Sequence, residues 1–76
     1  MREQDFLALK ATLSENIKNL RRERGIAQER LGLESGVDRT LVSKIERQIA
    51  NPSLEILSKI AAQLDVSVVT LLTRQK

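Results

Sequence analysis

Between Gln28 and Arg47 the chain reads QERLGLESGVDRTLVSKIER, and this stretch leaves little choice of local structure. Helix-forming residues flank Gly36 on both sides, and glycine enters a left-handed turn without steric cost. The spacing therefore predicts two short helices joined by a tight turn at Gly36. Asp38 is a good N-cap for the second of them, which continues through Arg47. Along it Arg39, Thr40, Ser43 and Lys44 share one face, while Val37, Val42 and Ile45 share the other. One side can anchor in a core and the other is left to read, and the natural target for such a helix is the major groove of DNA.

The rest of the chain also reads as helix. Phe6, Leu9, Leu13, Ile17 and Leu20 recur at steps of three and four, which predicts a first helix from about Asp5 to Arg24. Gly25 stops it, and Lys18, Arg21, Arg22 and Arg24 suit the negative end of its dipole. An alternative start lies at Thr12, where Thr-Leu-Ser-Glu15 resembles a capping box and would leave residues 1–11 as a separate arm. The second helix spans Gln28 to about Ser35, with Leu31 facing inward and Gly32 where helices approach closely. Asn51-Pro52 ends the third helix, because the residue before a proline avoids the helical region. Ser53 caps a fourth helix whose apolar positions are Leu54, Leu57, Ile60, Ala61 and Leu64. Ser67 caps a short fifth, Val68 to Leu72. Five helices with short loops, without a repeat, low-complexity tract or linker, predict one all-α domain over residues 1–76.

Composition narrows the function. A chain of 76 residues sits near the lower limit of what one core stabilises alone, so partners or a dimer are expected to supply the rest. Phe6 is the sole aromatic residue, and the core must be built from Leu, Ile, Val and Ala. No stretch approaches the roughly 20 apolar residues needed to span a bilayer. The charged start around Arg2, Glu3 and Asp5 also lacks the apolar region of a signal peptide, so a soluble cytoplasmic protein is expected. Without Cys or His there is no disulfide, thiol nucleophile or imidazole base, and soft-metal sites lose their usual ligands. Carboxylates such as Glu29 and Glu34 are scattered, so neither an enzyme nor a cofactor is expected. The net charge is +3 with pI near 9.8, which permits nucleic-acid binding without demanding it. Its distribution says more: Lys18, Arg21, Arg22, Arg24 and Arg30 gather on one segment, and Arg39, Lys44 and Arg47 on the next.

These residues also carry a family likeness. QERLGLESGVDRTLVSKIER followed by NPSLEILSKIAAQLDVSVVTLL resembles the phage-repressor, Cro-like helix-turn-helix DNA-binding proteins, roughly from Ser14 to Leu72. Within them, the Asp-Arg-Thr opening and Ser-Lys-Ile-Glu-Arg ending of the third helix are most similar to the controller proteins of restriction-modification systems. The resemblance implies a compact five-helix, lambda-repressor-like domain. It implies that Arg39, Thr40 and Lys44 face base edges, with Ser43 close to the groove wall. Arginine or lysine can donate to guanine O6 and N7, and threonine offers a hydroxyl and a methyl for thymine. Gln28 is placed to hydrogen-bond a phosphate at a helix start, with Arg47 and Asn51 as further backbone contacts. The alternatives are that Gln28 caps its helix and that Asn51 shapes a turn. Arg21 is placed to meet Glu46 in a structural ion pair. Some positions depart from the pattern: Ala27 replaces a capping Ser or Thr, and Gln48 replaces a glycine that often closes the third helix, so the loop through Ile49 and Ala50 is open to a different path. Leu33 is apolar where the family is solvated, Asp38 is a cap before it is a base reader, and Leu41 covers the core edge or touches a thymine methyl.

A single module buries only about 600–1,000 Å² on DNA, so strong specificity calls for two copies. The run Val66 to Leu72 holds more apolar residues than one short helix needs, and related regulators commonly pair through their last helices. Val68, Val69 and Leu72 are thus the candidate homodimer interface, unless they only close the monomer core. A twofold pair would set its reading helices about 34–36 Å apart on a palindromic operator of double-stranded DNA. The resemblance adds no domain for a small-molecule effector, and none is expected. The rival is a protein-interaction module, such as an antitoxin or adapter, kept open by Leu33 and the apolar C-terminus.

Overall fold

A computed structural model describes residues 2–75. It consists of α1 (Glu3–Glu23), α2 (Gln28–Ser35), α3 (Leu41–Glu46), α4 (Leu54–Gln63) and α5 (Val68–Leu72), with no strand among the described residues. At 1.5 Å per residue α1 is about 31 Å long, close to the molecule's longest dimension of 33 Å. α1 lies against α3 and α5, and α2 lies against α3 and α4, which in turn meets α5.

The core is aliphatic: Leu13, Ile17, Leu31, Val42, Ile45, Leu57, Ile60, Ala61, Leu64 and Leu71 are buried together. Leu20, Ile26, Leu41, Val66, Val68 and Leu72 pack partly buried around it, so Leu41 covers the core edge. Two residues expected inside lie outside. Phe6 belongs to the first turns of α1, which run past the core and are exposed from Arg2 to Ala8; the Lys10 ammonium lies over its ring, 5.3 Å from the centroid. Leu54 is 70% exposed because it occupies the first turn of α4, one turn before the stripe from Leu57 to Leu64 reaches its partners.

Helix α1 is continuous through Thr12, which removes the alternative start there. Glu-Gln-Asp-Phe-Leu-Ala-Leu-Lys-Ala is rich in residues that favour helix without tertiary support. Glu3 and Asp5 complement the dipole in the first turn, and Arg2 pairs with Asp5 at 3.0 Å. The third helix is shorter than expected: it begins at Leu41 with Thr40 as its N-cap, rather than just after an Asp38 cap, and Arg47 is its C-cap. Asp38 instead closes a turn, its Oδ1 accepting from the Thr40 N–H at 2.7 Å and the Thr40 hydroxyl at 2.6 Å. Such local side-chain bonds compete with the helical ladder.

Four helices end in the same double hydrogen bond, the Schellman closure, in which the residue after the C-cap takes a left-handed conformation. After α1 and α2 that residue is Gly25 and Gly36. After α4 it is Asp65, and after α3 it is Gln48, at φ 64°. Ile49 N–H still donates to the Lys44 carbonyl at 3.0 Å, so the loop keeps the closure that a glycine would give. At the other ends, Ser53 and Ser67 cap α4 and α5 through bonds from Ile56 N–H at 3.1 Å and Thr70 N–H at 3.0 Å. Ala27 at the start of α2 supplies no side-chain cap.

Candidate nucleic-acid interface

The interface is built on the turn from Gly36 to Thr40 and on α3. Val42 and Ile45 are fully inside, which turns Lys44 outward and leaves Ser43 half-buried at the edge. Arg39 and Thr40, in the turn just before the helix, are exposed on the same side. Arg47 and Asn51 are exposed beyond its other end. The face thus carries the cations of Arg39, Lys44 and Arg47 with the single carboxylate of Asp38 among them. That carboxyl is held below the ordinary range by its side-chain and backbone hydrogen bonds from Thr40, aided by the charges of Lys44 and Arg39.

The height of this face is set by Gly32. A Cβ there would lie 3.1 Å from the Arg39 Cα and 3.1 Å from the Asp38 carbonyl oxygen, so the turn carrying Arg39 and Thr40 rests directly on the backbone of α2. The close approach expected at Gly32 is therefore with the turn.

The far end of α3 is held by Glu46. Its carboxylate, 4% exposed, accepts from Arg21 Nε at 2.8 Å and Nη2 at 3.2 Å, and from Gln28 Nε2 at 2.9 Å. Arg21 spends its third branch on the Ile26 carbonyl at 2.9 Å. Burial pushes the Glu46 carboxyl up, but the bonds from Arg21 and Gln28, with the charges of Arg21 and Lys18, outweigh it and hold the group below its ordinary value. The Glu46 carbonyl accepts from the Ser14 hydroxyl at 2.6 Å, a second tie to α1. The structure thus brings Arg21 and Glu46 together and adds Gln28 to them. Gln28 is half-buried, and its amide nitrogen donates to Glu46.

The C-terminal apolar run divides. Leu71 is fully buried, Val68 and Leu72 pack partly buried on the core, and Val69 is 72% exposed. The end of α5 is fixed by Asn16 on α1, whose Nδ2 lies 2.9 Å from the Leu71 carbonyl, 2.8 Å from that of Thr73 and 3.2 Å from that of Thr70. Sequence reading missed Ser14 and Asn16. Their signal was present, since both are polar yet flank Leu13 and Ile17 on the inward face of α1. Among the described residues no helix is long and apolar enough to cross a membrane.

An all-α fold with a short helix braced against its predecessor, presenting basic and hydroxyl side chains, defines a helix-turn-helix protein. Residues 17–71 match the HTH_3 helix-turn-helix family, and the chain belongs to it. The control protein C.SmaI of Serratia marcescens is 39% identical over 70 residues, covering 92% of this chain and 83% of that protein. The transcriptional regulator SinR of Bacillus subtilis (strain 168) is 43% identical over 61 residues, which cover 79% of this chain and 55% of SinR, so the chain spans about half of that relative. The solved restriction-modification controller protein C.AhdI from Aeromonas hydrophila superposes with a TM-score of 0.78 at 34% identity, covering 84% of this chain and 97% of that one. SinR solved in complex with DNA gives a TM-score of 0.75 at 42% identity, covering 80% and 98%. The resemblance to Cro-like regulators, and to controller proteins among them, is borne out by these matches.

Proposed function

We propose that the chain is a sequence-specific DNA-binding transcriptional regulator that acts in the cytoplasm as a homodimer on a palindromic operator, as a restriction-modification controller. The observation that carries this reading is the two-sidedness of the third helix and its leading turn. Val42 and Ile45 are sealed in the core while Arg39, Thr40 and Lys44 are exposed together. In this reading Arg39, Thr40 and Lys44 select bases, with Ser43 at the groove wall, and Gln28, Arg47 and Asn51 fix register on phosphates. Paired copies meet through the last helix. Val69 is free to make that contact, and Val68 and Leu72 would add to it from positions they already use to close the monomer. Occupancy beside a promoter then controls polymerase, with protein concentration and operator affinity as inputs.

Selection from a random duplex pool at near-physiological salt tests the reading, followed by titration of the winner against scrambled DNA. Enrichment of a palindrome bound far more tightly than the scramble is the expected result. Arg39→Ala should then weaken the winner by about 1–3 kcal/mol and relax one position, whereas Arg47→Ala should weaken all sequences alike. Leu33, 72% exposed on α2, favours a protein-interaction module instead. That reading takes over if no sequence is enriched.

A further inference from the structure

We propose that Asp38 sets the hydrogen-bond polarity with which Thr40 reads DNA, holding the threonine's hydroxyl proton so that Thr40 accepts from a base amine and does not donate to a base carbonyl. This rests on the assignment of Thr40 as a base contact.

The Thr40 hydroxyl oxygen lies 2.6 Å from Asp38 Oδ1. A hydroxyl has one proton and two lone pairs, and an ionised carboxylate only accepts, so the direction of the bond is settled: Thr40 donates. The separation falls in the range of a charge-assisted O–H···O⁻ bond, roughly twice as strong as a neutral one. The same carboxylate oxygen accepts from the Thr40 backbone N–H at 2.7 Å. That second bond fixes Oδ1 beside the hydroxyl, so turning the proton outward means giving up a charge-assisted bond whose acceptor stays in place. Both residues are exposed on the face that carries Arg39 and Lys44.

The consequence lies in the base code. In the major groove adenine N6 and cytosine N4 donate, whereas guanine O6 and N7 and thymine O4 accept. A threonine with a free proton can satisfy either kind and discriminates poorly. With its proton committed to Asp38, Thr40 presents lone pairs and a methyl group. It is then matched to adenine or cytosine amines, with the methyl left for thymine. Asp38, which meets no base itself in this scheme, becomes a specificity-determining residue acting through Thr40.

The test uses the full chain and an operator obtained by random-pool selection with wild-type protein and with Thr40→Val. The position whose preference the valine variant loses is the one Thr40 reads. At that position the amine is deleted chemically, with purine in place of adenine or 2-pyrimidinone in place of cytosine. Wild-type affinity should fall roughly 2- to 12-fold, the span of one net hydrogen bond, and Thr40→Val should not respond to the deletion. Asp38→Ala should accept carbonyl-bearing bases at the same position, while Asp38→Asn, which keeps an Oδ1 acceptor for Thr40, should preserve the wild-type preference. Thermal melts and affinity for scrambled DNA report whether each variant is folded, and the amine deletion on wild type and Thr40→Val can still overturn the proposal even if Asp38→Ala does not fold. The proposal is overturned if amine deletion costs the wild type nothing, or if folded Asp38→Ala discriminates as the wild type does. No enrichment by the wild type, or a Thr40→Val profile unchanged at every position, overturns the underlying assignment of Thr40 as a base reader instead.

Discussion

Replacing Glu46 by alanine should unfold the protein at a lower temperature without removing any group that meets DNA. The carboxylate is almost wholly buried and receives two bonds from Arg21 and one from Gln28. Truncation leaves the Arg21 guanidinium, 14% exposed, with the Ile26 carbonyl and a charge that has lost its counterion. Breaking a buried pair from one side costs about 3–5 kcal/mol, and the residual water access of Arg21 places this case toward the lower figure. A chain of 76 residues has about 4–11 kcal/mol in total at the usual 0.05–0.15 kcal/mol per residue. The loss is therefore a large part of the whole. At about 4–8 °C per kcal/mol for a domain of this size, Tm should fall by at least about 12 °C. Far-UV circular dichroism melts give the shift, and DNA titrations below the variant's own Tm should recover binding except for what the loosened end of α3 costs. Arg21→Ala should cost a similar amount, and the double variant less than the two together, because the partners share one interaction. An unchanged Tm for Glu46→Ala would refute the reasoning.

The same carboxylate gives a pH dependence. Its folded pKa is held below the group's ordinary value, so its stabilisation is complete above the unfolded pKa and is lost as pH falls through the folded one. Tm measured from pH 7 downward should therefore drop more steeply below about pH 4.3 in wild type than in Glu46→Gln, and parallel profiles would contradict this. Gln48→Gly should raise the denaturant midpoint, because a left-handed non-glycine costs about 1–2 kcal/mol, of which glycine's unfolded-state freedom returns about 0.5–1. Asp65→Gly should gain less, since aspartate tolerates that conformation better, and equal gains at both sites would count against the explanation. Gly32→Ala should lower Tm modestly, overpacking of about 1–3 kcal/mol outweighing about 1 kcal/mol of helix propensity, and should weaken specific DNA more than scrambled DNA because the Arg39 turn must move; a raised Tm with unaltered discrimination would exclude it.

What was legible in the sequence was whatever a single local residue decides. The bounds of α2 and α5 follow from Gly36 and Ser67, and the start of α4 follows from Ser53 and the proline before it. The alternative start at Thr12 failed because a capping-box pattern does not interrupt residues that already favour helix. The start of α3 was misjudged because Asp38 has two uses for one oxygen, and spacing cannot tell a helix cap from a turn that also holds the Thr40 hydroxyl. Leu54 fits the helical period yet overhangs the core, because periodicity reports direction and not whether a neighbour is there. Ser14 and Asn16 bond to carbonyls 32 and 55 positions away, respectively, beyond any local window.

That division bears on how the reading face works. Six residues of helix are far too few to hold themselves together in water, since isolated helices below about 12–15 residues are marginal. The orientation of α3 is therefore imposed from outside, and at both ends. Before its start the turn rests on the bare backbone at Gly32; at its end Glu46 is gripped through its side chain by Arg21 and Gln28 and through its carbonyl by Ser14. Side chains other than the proposed base readers thus fix where Arg39, Thr40 and Lys44 stand. In the proposed reading Gln28 serves twice, because the bond that orders Glu46 also orients the amide proposed to meet a phosphate. Loss of Gln28 should therefore remove a phosphate contact and loosen the end of α3 together, whereas loss of Arg47 should remove a contact alone.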